Sequence, residues 1–262
     1  MRNNGVQDEF LRRRMERQKR LKKRRAIGFL IFTIILLLIV GVCLCFTVFF
    51  PIENIAVSGS KLYTADQILT VCDIEIGDNL FAISKSNIEQ KLKKQLPFIE
   101  KVELSRDLPG DLKIKVSEAK EYSAIKQNGS YYILSKENWV LSKEKKLPKG
   151  VFEIKIKDAK CKVGTAADLT NAKNVDILNE LIEELKKNKI KIDYIDVTNK
   201  LTLEVGVDGR FVVNYGNPNS LPQKTRHLKE MVKSIEKGAS GRINLNMWTS
   251  QNTQGTFVKD ME

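Results

Sequence analysis

The chain has 262 residues, 42% of them hydrophobic and 29% charged, a composition that allows packed cores and excludes wholesale disorder. Its 45 basic and 32 acidic residues give a formal net charge of +13. Residues 1–25 alone account for +8 of it, so the charge does not indicate a basic nucleic-acid-binding surface spread over the molecule.

A charge-free run from Ala26 to Phe50 follows this basic tail. As a helix its 25 residues would reach roughly 37 Å, more than the hydrocarbon core of a bilayer at about 30 Å. A cleavable signal peptide is the alternative, but its apolar region spans about 7–15 residues and ends in small residues. Because this run is longer and ends in Phe49, Phe50 and Pro51, the sequence predicts an uncleaved transmembrane helix over residues 26–50.

The charges around this run predict its orientation. Eleven Lys or Arg residues precede it, and Glu53 is the first charged residue after it. The positive-inside rule therefore makes residues 1–25 a cytoplasmic tail and places residues 51–262 outside the cell membrane. The tail can also contact anionic headgroups. DNA binding by the tail is an alternative, but topology explains its charges without a nucleic-acid partner.

Residues 51–119 show a strand–helix–helix–strand–strand pattern. Thr64 is a cap for the first helix, and strict alternation of apolar residues marks the last strand. Such a segment predicts a small three-stranded sheet with two helices on one face. It is too short for a nucleotide-binding unit of two parallel strands and a helix. The predicted elements are Ile52–Val57, Thr64–Cys72, Ser84–Leu96, Ile99–Leu104 and Leu112–Val116.

Residues 120–262 change to hairpins with two helices between them. Asn128-Gly129 and Asp208-Gly209 are strong two-residue turn signals between alternating runs. Amphipathic spacing predicts helices over Val175–Lys187 and Pro222–Lys237. Ile243–Met247 and Thr256–Lys259 are the closing strands. The fold class is therefore α+β: a transmembrane helix, the small sheet domain, and a mixed α/β domain with a mainly antiparallel sheet.

No motif for catalysis, a cofactor or a metal is present. His227 is the only histidine, and no HExxH, GxSxG, SxxK, GxGxxG or phosphate-binding loop occurs. Cys43 and Cys45 lie inside the predicted span, whereas Cys72 and Cys161 are isolated, so they are either one bridge or two apolar thiols. We therefore expect no catalytic, cofactor or metal site, and no enzyme, with an undetected site as the alternative.

The last predicted strand is a candidate for partner binding. A sheet edge carries unpaired N–H and C=O groups that accept a strand from another chain, and a terminal strand often lies at such an edge. The segment Gly255–Lys259 fits this role. The alternative is that the strand is fully paired within the chain.

The order of several motifs resembles the FtsQ/DivIB family of bacterial cell-division proteins. After the basic tail and single span come IAVSG at 55–59, GDNL at 77–80, LPFIEKVELSR at 96–106 and LPGDLKIKVSE at 108–118. The chain departs from the family pattern after Glu118, where it has Ala119-Lys120-Glu121, and at Ser135–Asn138. The resemblance implies a POTRA domain over residues 51–119 and a β domain over residues 120–262.

The resemblance also implies a function. Members of this family are non-enzymatic scaffolds of the division machinery, which bind FtsL-like and FtsB/DivIC-like single-pass proteins outside the membrane. They help control septal peptidoglycan synthesis, so peptidoglycan or the septal synthase is a further expected contact, and the septum is the expected location. The alternative is a membrane-anchored cell-wall enzyme or peptidoglycan-binding protein. A POTRA-bearing translocation component is a third reading, although such proteins usually carry several POTRA domains or a barrel.

Two groups of site residues are implied in the same way. In the family a partner chain adds to the last strand of the β domain, which corresponds here to Gly255, Thr256, Phe257 and Val258. Trp248 is either an aromatic anchor beside that strand or a buried core residue. A POTRA face for recruiting other division proteins is expected around Val57, Gly59 and Arg106.

Overall fold

The computed structural model describes residues 28–41, 50–169, 172–199, 202–247 and 255–260. Residues 28–41 form helix α1, and the large apolar side chains along it are mostly exposed. Within these described ranges, no helix is both long enough and apolar enough to span a membrane. The basic tail, residues 26–27 and 42–49 of the predicted span, and Trp248 fall outside them.

The chain forms two compact units whose segments alternate in the sequence. One contains the described residues up to 56, residues 74–84 and residues 104–113, and the other contains residues 57–73, residues 85–103 and the described residues from 114 onward. The domain limits expected from the sequence, 51–119 and 120–262, stay a prediction.

The first sheet has three strands and two helices in the predicted order. The strands lie in the order β1-β3-β2, so the last strand of this region is the central one. Its alternating Leu112, Ile114 and Val116 are buried, as the sequence pattern predicts. The elements are β1 (Asn54–Ser58), α2 (Ala65–Cys72), α3 (Lys85–Gln95), β2 (Ile99–Asp107) and β3 (Asp111–Glu118).

The capping signal before α2 is confirmed. Thr64 Oγ1 accepts a hydrogen bond from the Gln67 N–H at 3.3 Å, and Gln67 Oε1 accepts one from the Thr64 N–H at 2.9 Å. This reciprocal pair satisfies two donors that the helix start would otherwise leave unpaired. Ile68 and Cys72 on α2, with Ile88 and Leu92 on α3, supply the buried side chains of these helices.

The second sheet has nine strands in the order β12-β11-β10-β9-β8-β7-β4-β5-β6. Five of its eight strand pairings are antiparallel, and the β10–β11, β4–β7 and β7–β8 pairings are parallel. The sheet is therefore mixed but mainly antiparallel. Its elements are β4 (Ser123–Gln127), β5 (Ser130–Leu134), β6 (Val140–Glu144), β7 (Phe152–Lys155), α4 (Ala172–Lys187), β8 (Ile192–Asp196), β9 (Leu203–Val207), β10 (Phe211–Gly216), α5 (Leu221–Ser234), β11 (Gly241–Asn244) and β12 (Thr256–Lys259).

One continuous core joins the helices α4 and α5 to this sheet. Leu181 and Leu185 of α4 and Leu228 of α5 are fully buried in it with Val205, Val213 and other strand residues. Burial of such apolar surface is the main term that holds the unit together. Cys161 packs against this core and Cys72 is buried on α2; both are free thiols, so no bridge joins them. Burial raises the pKa of each thiol to about 11.

Several element limits differ from the sequence prediction. The strand expected over Ile243–Met247 is β11 at Gly241–Asn244, because its parallel register with β10 begins at Phe211 and Gly241. Helix α4 begins at Ala172 rather than Val175, and α5 ends at Ser234 rather than Lys237.

Candidate functional site

The last described strand, β12, lies at an edge of the nine-stranded sheet. It pairs antiparallel with β11, with Phe257 opposite Ile243 and Val258 opposite Arg242. Among the described residues no strand pairs with the other side of β12. The sequence expectation that this segment is an edge strand is therefore met by its position.

The backbone of β12 presents hydrogen-bonding groups on its open side. The Asp260 N–H donates to the Ser240 carbonyl oxygen at 3.1 Å, which sets the phase of the ladder. In an antiparallel pair such bonded positions alternate along the strand. It follows that Val258 directs its N–H and C=O toward β11, whereas Phe257 and Lys259 direct theirs outward. Two donors and two acceptors are thus spaced for another strand.

Side chains fix β12 to the rest of the sheet. The half-buried Phe257 ring meets Phe211 edge to face, with 6.0 Å between ring centroids. Gly241 has no room for a Cβ, because the Val258 carbonyl oxygen and the Phe257 ring occupy that space. Gly255 is similarly confined, since a Cβ there would lie 2.7 Å from the Met231 Sδ atom. Phe257 is therefore an internal anchor of the strand.

One exposed apolar side chain lies on this edge: Val258 is 58% exposed. Thr256 is exposed as well. The structure thus brings four predicted residues onto one segment, with Gly255 and Phe257 turned toward the core and Thr256 and Val258 available at the surface.

A row of side chains on the outer sheet face leads to Val258. The strand registers align Tyr194, Gly206, Val212, Arg242 and Val258 across five neighbouring strands. The Tyr194 ring lies over Gly206, where a Cβ would have no space. A strand added beside β12 would extend this row by one residue next to Val258.

Polar contacts hold Tyr194 in that row. Its hydroxyl donates to Glu204 Oε1 at 3.0 Å, and Lys155 Nζ lies 3.7 Å from the ring centroid. Burial, together with the bond to the Glu204 carboxylate, raises the pKa of Tyr194 to about 12. The hydroxyl therefore stays protonated at neutral pH. Nothing in the sequence alone indicates this arrangement, because Tyr194 and Glu204 meet only through the strand register.

The residues expected to form a recruitment face are spread over the first sheet. Val57 lies on β1 and Arg106 on β2, and β3 runs between these strands. Gly59 has φ +99° and packs its Cα directly against the Val116 backbone. Arg106 Nε donates to the Leu80 carbonyl at 2.9 Å, and Nη2 donates to the Ile83 carbonyl at 2.6 Å. These contacts give Arg106 and Gly59 structural roles, and the recruitment face stays a prediction.

Glu118, at the end of β3, has a role that sequence reasoning missed. Its Oε1 atom accepts hydrogen bonds from the Ser60 hydroxyl at 2.6 Å and from the N–H groups of Lys61 and Leu62 at 2.6 and 2.7 Å. The Ser60 bond, and then the backbone donors, lower the pKa of Glu118 below its ordinary value. One carboxylate thus orders the turn after β1.

Comparison with known proteins assigns the first sheet. Residues 50–119 match the family described as "POTRA domain, FtsQ-type". The chain is 26% identical over 233 residues to the cell division protein DivIB of Clostridium botulinum strain Hall, covering 86% of this chain and 90% of that protein. It is 23% identical over 215 residues to DivIB of Staphylococcus aureus strain NCTC 8325, covering 80% and 46%. Against the cell division protein FtsQ of Streptomyces coelicolor it is 22% identical over 187 residues, covering 70% of each.

The three-stranded sheet and its two helices thus form a POTRA domain of the FtsQ type. Over most of its length the chain is similar to DivIB and FtsQ cell-division proteins, as the resemblance to the FtsQ/DivIB family predicts. The resemblance inferred from the sequence motifs is confirmed, and a role in cell division follows from it.

Proposed function

We propose that the chain is a non-enzymatic scaffold of the division machinery, which accepts a strand of a partner protein at the open side of β12. One observation carries this proposal: the outward N–H and C=O groups of Phe257 and Lys259 lie on an edge strand whose other side is already paired. Strand addition uses such groups for affinity and the alternating side chains for specificity.

The partners in this proposal are FtsL-like and FtsB/DivIC-like single-pass proteins, which the family resemblance implies. The exposed Val258 supplies an apolar contact beside the added strand. Through these partners the chain would help to control septal peptidoglycan synthesis. Peptidoglycan and the septal synthase are further contacts within the same proposal.

Location is part of the proposal as well. Residues 1–25 form the cytoplasmic tail, residues 26–50 cross the cell membrane once, and residues 51–262 lie outside at the division septum. Support comes from the charge-free run of 25 residues and from the net +8 that precedes it. The described part of this run, α1, presents its large apolar side chains outward.

The alternative of a cell-wall enzyme or peptidoglycan-binding protein has one feature in its favour. A cleft of about 520 Å³ lies at the starts of β7 and β8, where Glu121, Lys186 and Asp193 are among its lining residues. Lys186 Nζ lies 3.5 Å from the Tyr122 ring centroid, so this ammonium is engaged within the chain. In the described part of the chain no group of His, Cys, Asp and Glu is arranged to hold a metal.

A substitution at Lys259 tests the proposed site selectively. Lys259→Pro removes an outward N–H while the Asp260 bond to Ser240 stays available, and proline favours the extended backbone that Val258 already has. Lys259→Ala is the matched control, because it removes the side chain and keeps the N–H. We expect Lys259→Pro to weaken binding of the purified extracytoplasmic FtsL-like and DivIC-like pair at least about tenfold, which is about 1.4 kcal/mol.

Equal affinity of the Lys259→Pro and Lys259→Ala chains for that pair would refute strand addition at this edge. Two other substitutions are less selective. Val258→Pro removes a donor that faces β11, and Phe257→Lys disrupts the contact with Phe211. Either change can displace β12 itself and so weaken binding for an indirect reason.

A further inference from the structure

Exposed apolar side chains outside α1 are few among the described residues. Val258 lies on the β12 edge. Three others, with exposures of 72%, 44% and 61%, come from segments that hold the chain where it leaves the predicted span: Ile76, Phe81 and Leu108. These three have no role in the proposed partner site.

One loop, which follows α2, is held against the first residues after the predicted span. The Gly77 N–H donates to the Ile52 carbonyl oxygen at 2.8 Å. The rings of Phe50 and Phe81 meet edge to face, with 5.3 Å between their centroids. Phe81 therefore contacts the residue at the end of the charge-free run, and the exposed Ile76 directly precedes the bonded Gly77.

A second segment, the turn between β2 and β3, reaches the same place. The Glu53 N–H donates to the Gly110 carbonyl oxygen at 2.8 Å. A Cβ on Gly110 would lie 2.8 Å from the Pro51 carbonyl oxygen, so the two backbones are in direct contact. Leu108, 61% exposed, is two residues before this contact.

Two charged side chains close to Leu108 in the sequence are already engaged. The guanidinium of Arg106 binds the carbonyls of Leu80 and Ile83. The carboxylate of Asp107 pairs with Lys113 at 2.6 Å. Pairing of these two groups lowers the cost of removing them from water.

We infer that Ile76, Phe81 and Leu108 form a lipid-contacting patch, which rests at the boundary between headgroups and hydrocarbon of the outer leaflet. The occupant is lipid because the patch surrounds Phe50–Pro51, the point where the chain leaves the run of 25 charge-free residues. Burying apolar side chains at that depth is favourable and needs no anionic lipid. This inference rests on the membrane anchor of the proposed function, and it adds that the POTRA domain is held on the bilayer surface.

The test measures the depth of each residue in the full-length chain. The chain is reconstituted in vesicles of phosphatidylcholine and carries an NBD fluorophore on Ile76→Cys or Leu108→Cys. Cys43, Cys45 and Cys161 are replaced, and Cys72 is kept because it is buried. Leu62→Cys is the matched control. Leu62 is similarly exposed, at 59%, but it lies after the end of β1, whereas Ile76 and Leu108 are close to contacts with the residues before β1. Flotation of the vesicles shows first that the chain is anchored, and circular dichroism shows that each variant is folded.

We expect lipids with a doxyl group near the headgroup to quench the labels at 76 and 108 strongly and the label at 62 weakly. Anchored chains in which all three labels are equally accessible to water would overturn the lipid-contacting patch and leave the anchor intact. Chains that fail to float would instead contradict the anchor itself. Labels at 76 and 108 that become shielded only when the FtsL-like partner is added would also overturn the lipid-contacting patch, because the occupant would then be protein.

Discussion

Two residues fix the backbone at β12 and at the turn after β1. Gly241 lets β12 approach β11, because the Val258 carbonyl and the Phe257 ring occupy the position of a Cβ. Glu118 orders the turn after β1 through three hydrogen bonds to one carboxylate oxygen. Each role depends on a single residue, so one substitution tests each of them.

Gly241→Ala should displace β12 from the sheet. The added methyl group must move either the strand or the Phe257 ring, and overpacking of this kind costs about 1–3 kcal/mol. Urea denaturation of the fragment 51–262 is the measurement, with Arg242→Ala as the control because the Arg242 side chain is exposed. A Gly241→Ala chain as stable as the Arg242→Ala chain would mean that the approach of β12 is looser than described.

Glu118→Gln should destabilise the POTRA domain in a pH-dependent way. The folded-state pKa of Glu118 is lowered, so its carboxylate contributes stability above the unfolded-state value of about 4.3 and loses it as the pH falls through the folded-state pKa. Native and Glu118→Gln chains should therefore differ in melting temperature at pH 7 and converge in strong acid. A melting-temperature difference that is the same at pH 7 and pH 3 would contradict the role of the charge.

At the scale of elements, β12 is a short strand of four residues held by one ladder and one aromatic contact. Edge strands with little buried surface open more easily than central ones. Its availability for a partner therefore depends on how firmly Phe257 packs on Phe211.

Phe257→Ala should loosen β12 without unfolding the sheet. The half-buried ring contributes about 1–3 kcal/mol, less than a fully buried one. Hydrogen exchange should become faster at the amides of Val258 in β12 and of Asp260 just after it, and stay unchanged in the central strand β9. Unchanged exchange in β12 would show that backbone pairing alone holds the strand.

Local sequence patterns predict the helices and strands, but they do not predict which strands pair with each other. Alternation predicted β3, Thr64 as a cap predicted the start of α2, and Asn128-Gly129 predicted the β4–β5 hairpin. The parallel pairing of β4 with β7 joins segments far apart in the chain and leaves no local signal. The start of β11 at Gly241 was missed for a related reason, because glycine has low strand propensity and is required here by its neighbours.

At the scale of the whole molecule, the proposals place two binding surfaces on one chain. The lipid-contacting patch lies where the chain leaves the predicted span, and the β12 edge lies near its last residues. The charge pattern predicted the first location, and the resemblance to a family predicted the second. The sequence predicts neither the exposure of Ile76 and Leu108 nor the hydrogen bonds from Arg106 to backbone carbonyls. Both depend on which loops the fold brings close to Phe50.

Deletion of residues 255–262 removes the β12 edge and leaves the lipid-contacting patch, so it tests the two surfaces independently. The shortened chain should remain in the membrane fraction, because its predicted anchor is intact, and should lose the FtsL-like and DivIC-like partners. A pull-down from solubilised membranes, read by mass spectrometry, measures both properties. Retention of the partners by the shortened chain would place their binding elsewhere.

Hydrogen exchange of single β12 amides, followed by NMR with and without the FtsL-like and DivIC-like pair, is the most direct test of strand addition. In the free chain the outward N–H groups of Phe257 and Lys259 should exchange quickly, and that of Val258, bonded to β11, more slowly. Binding should slow Phe257 and Lys259 by at least about tenfold, which corresponds to about 1.4 kcal/mol of added protection. Saturating partner that leaves both outward amides as fast as in the free chain would contradict the account.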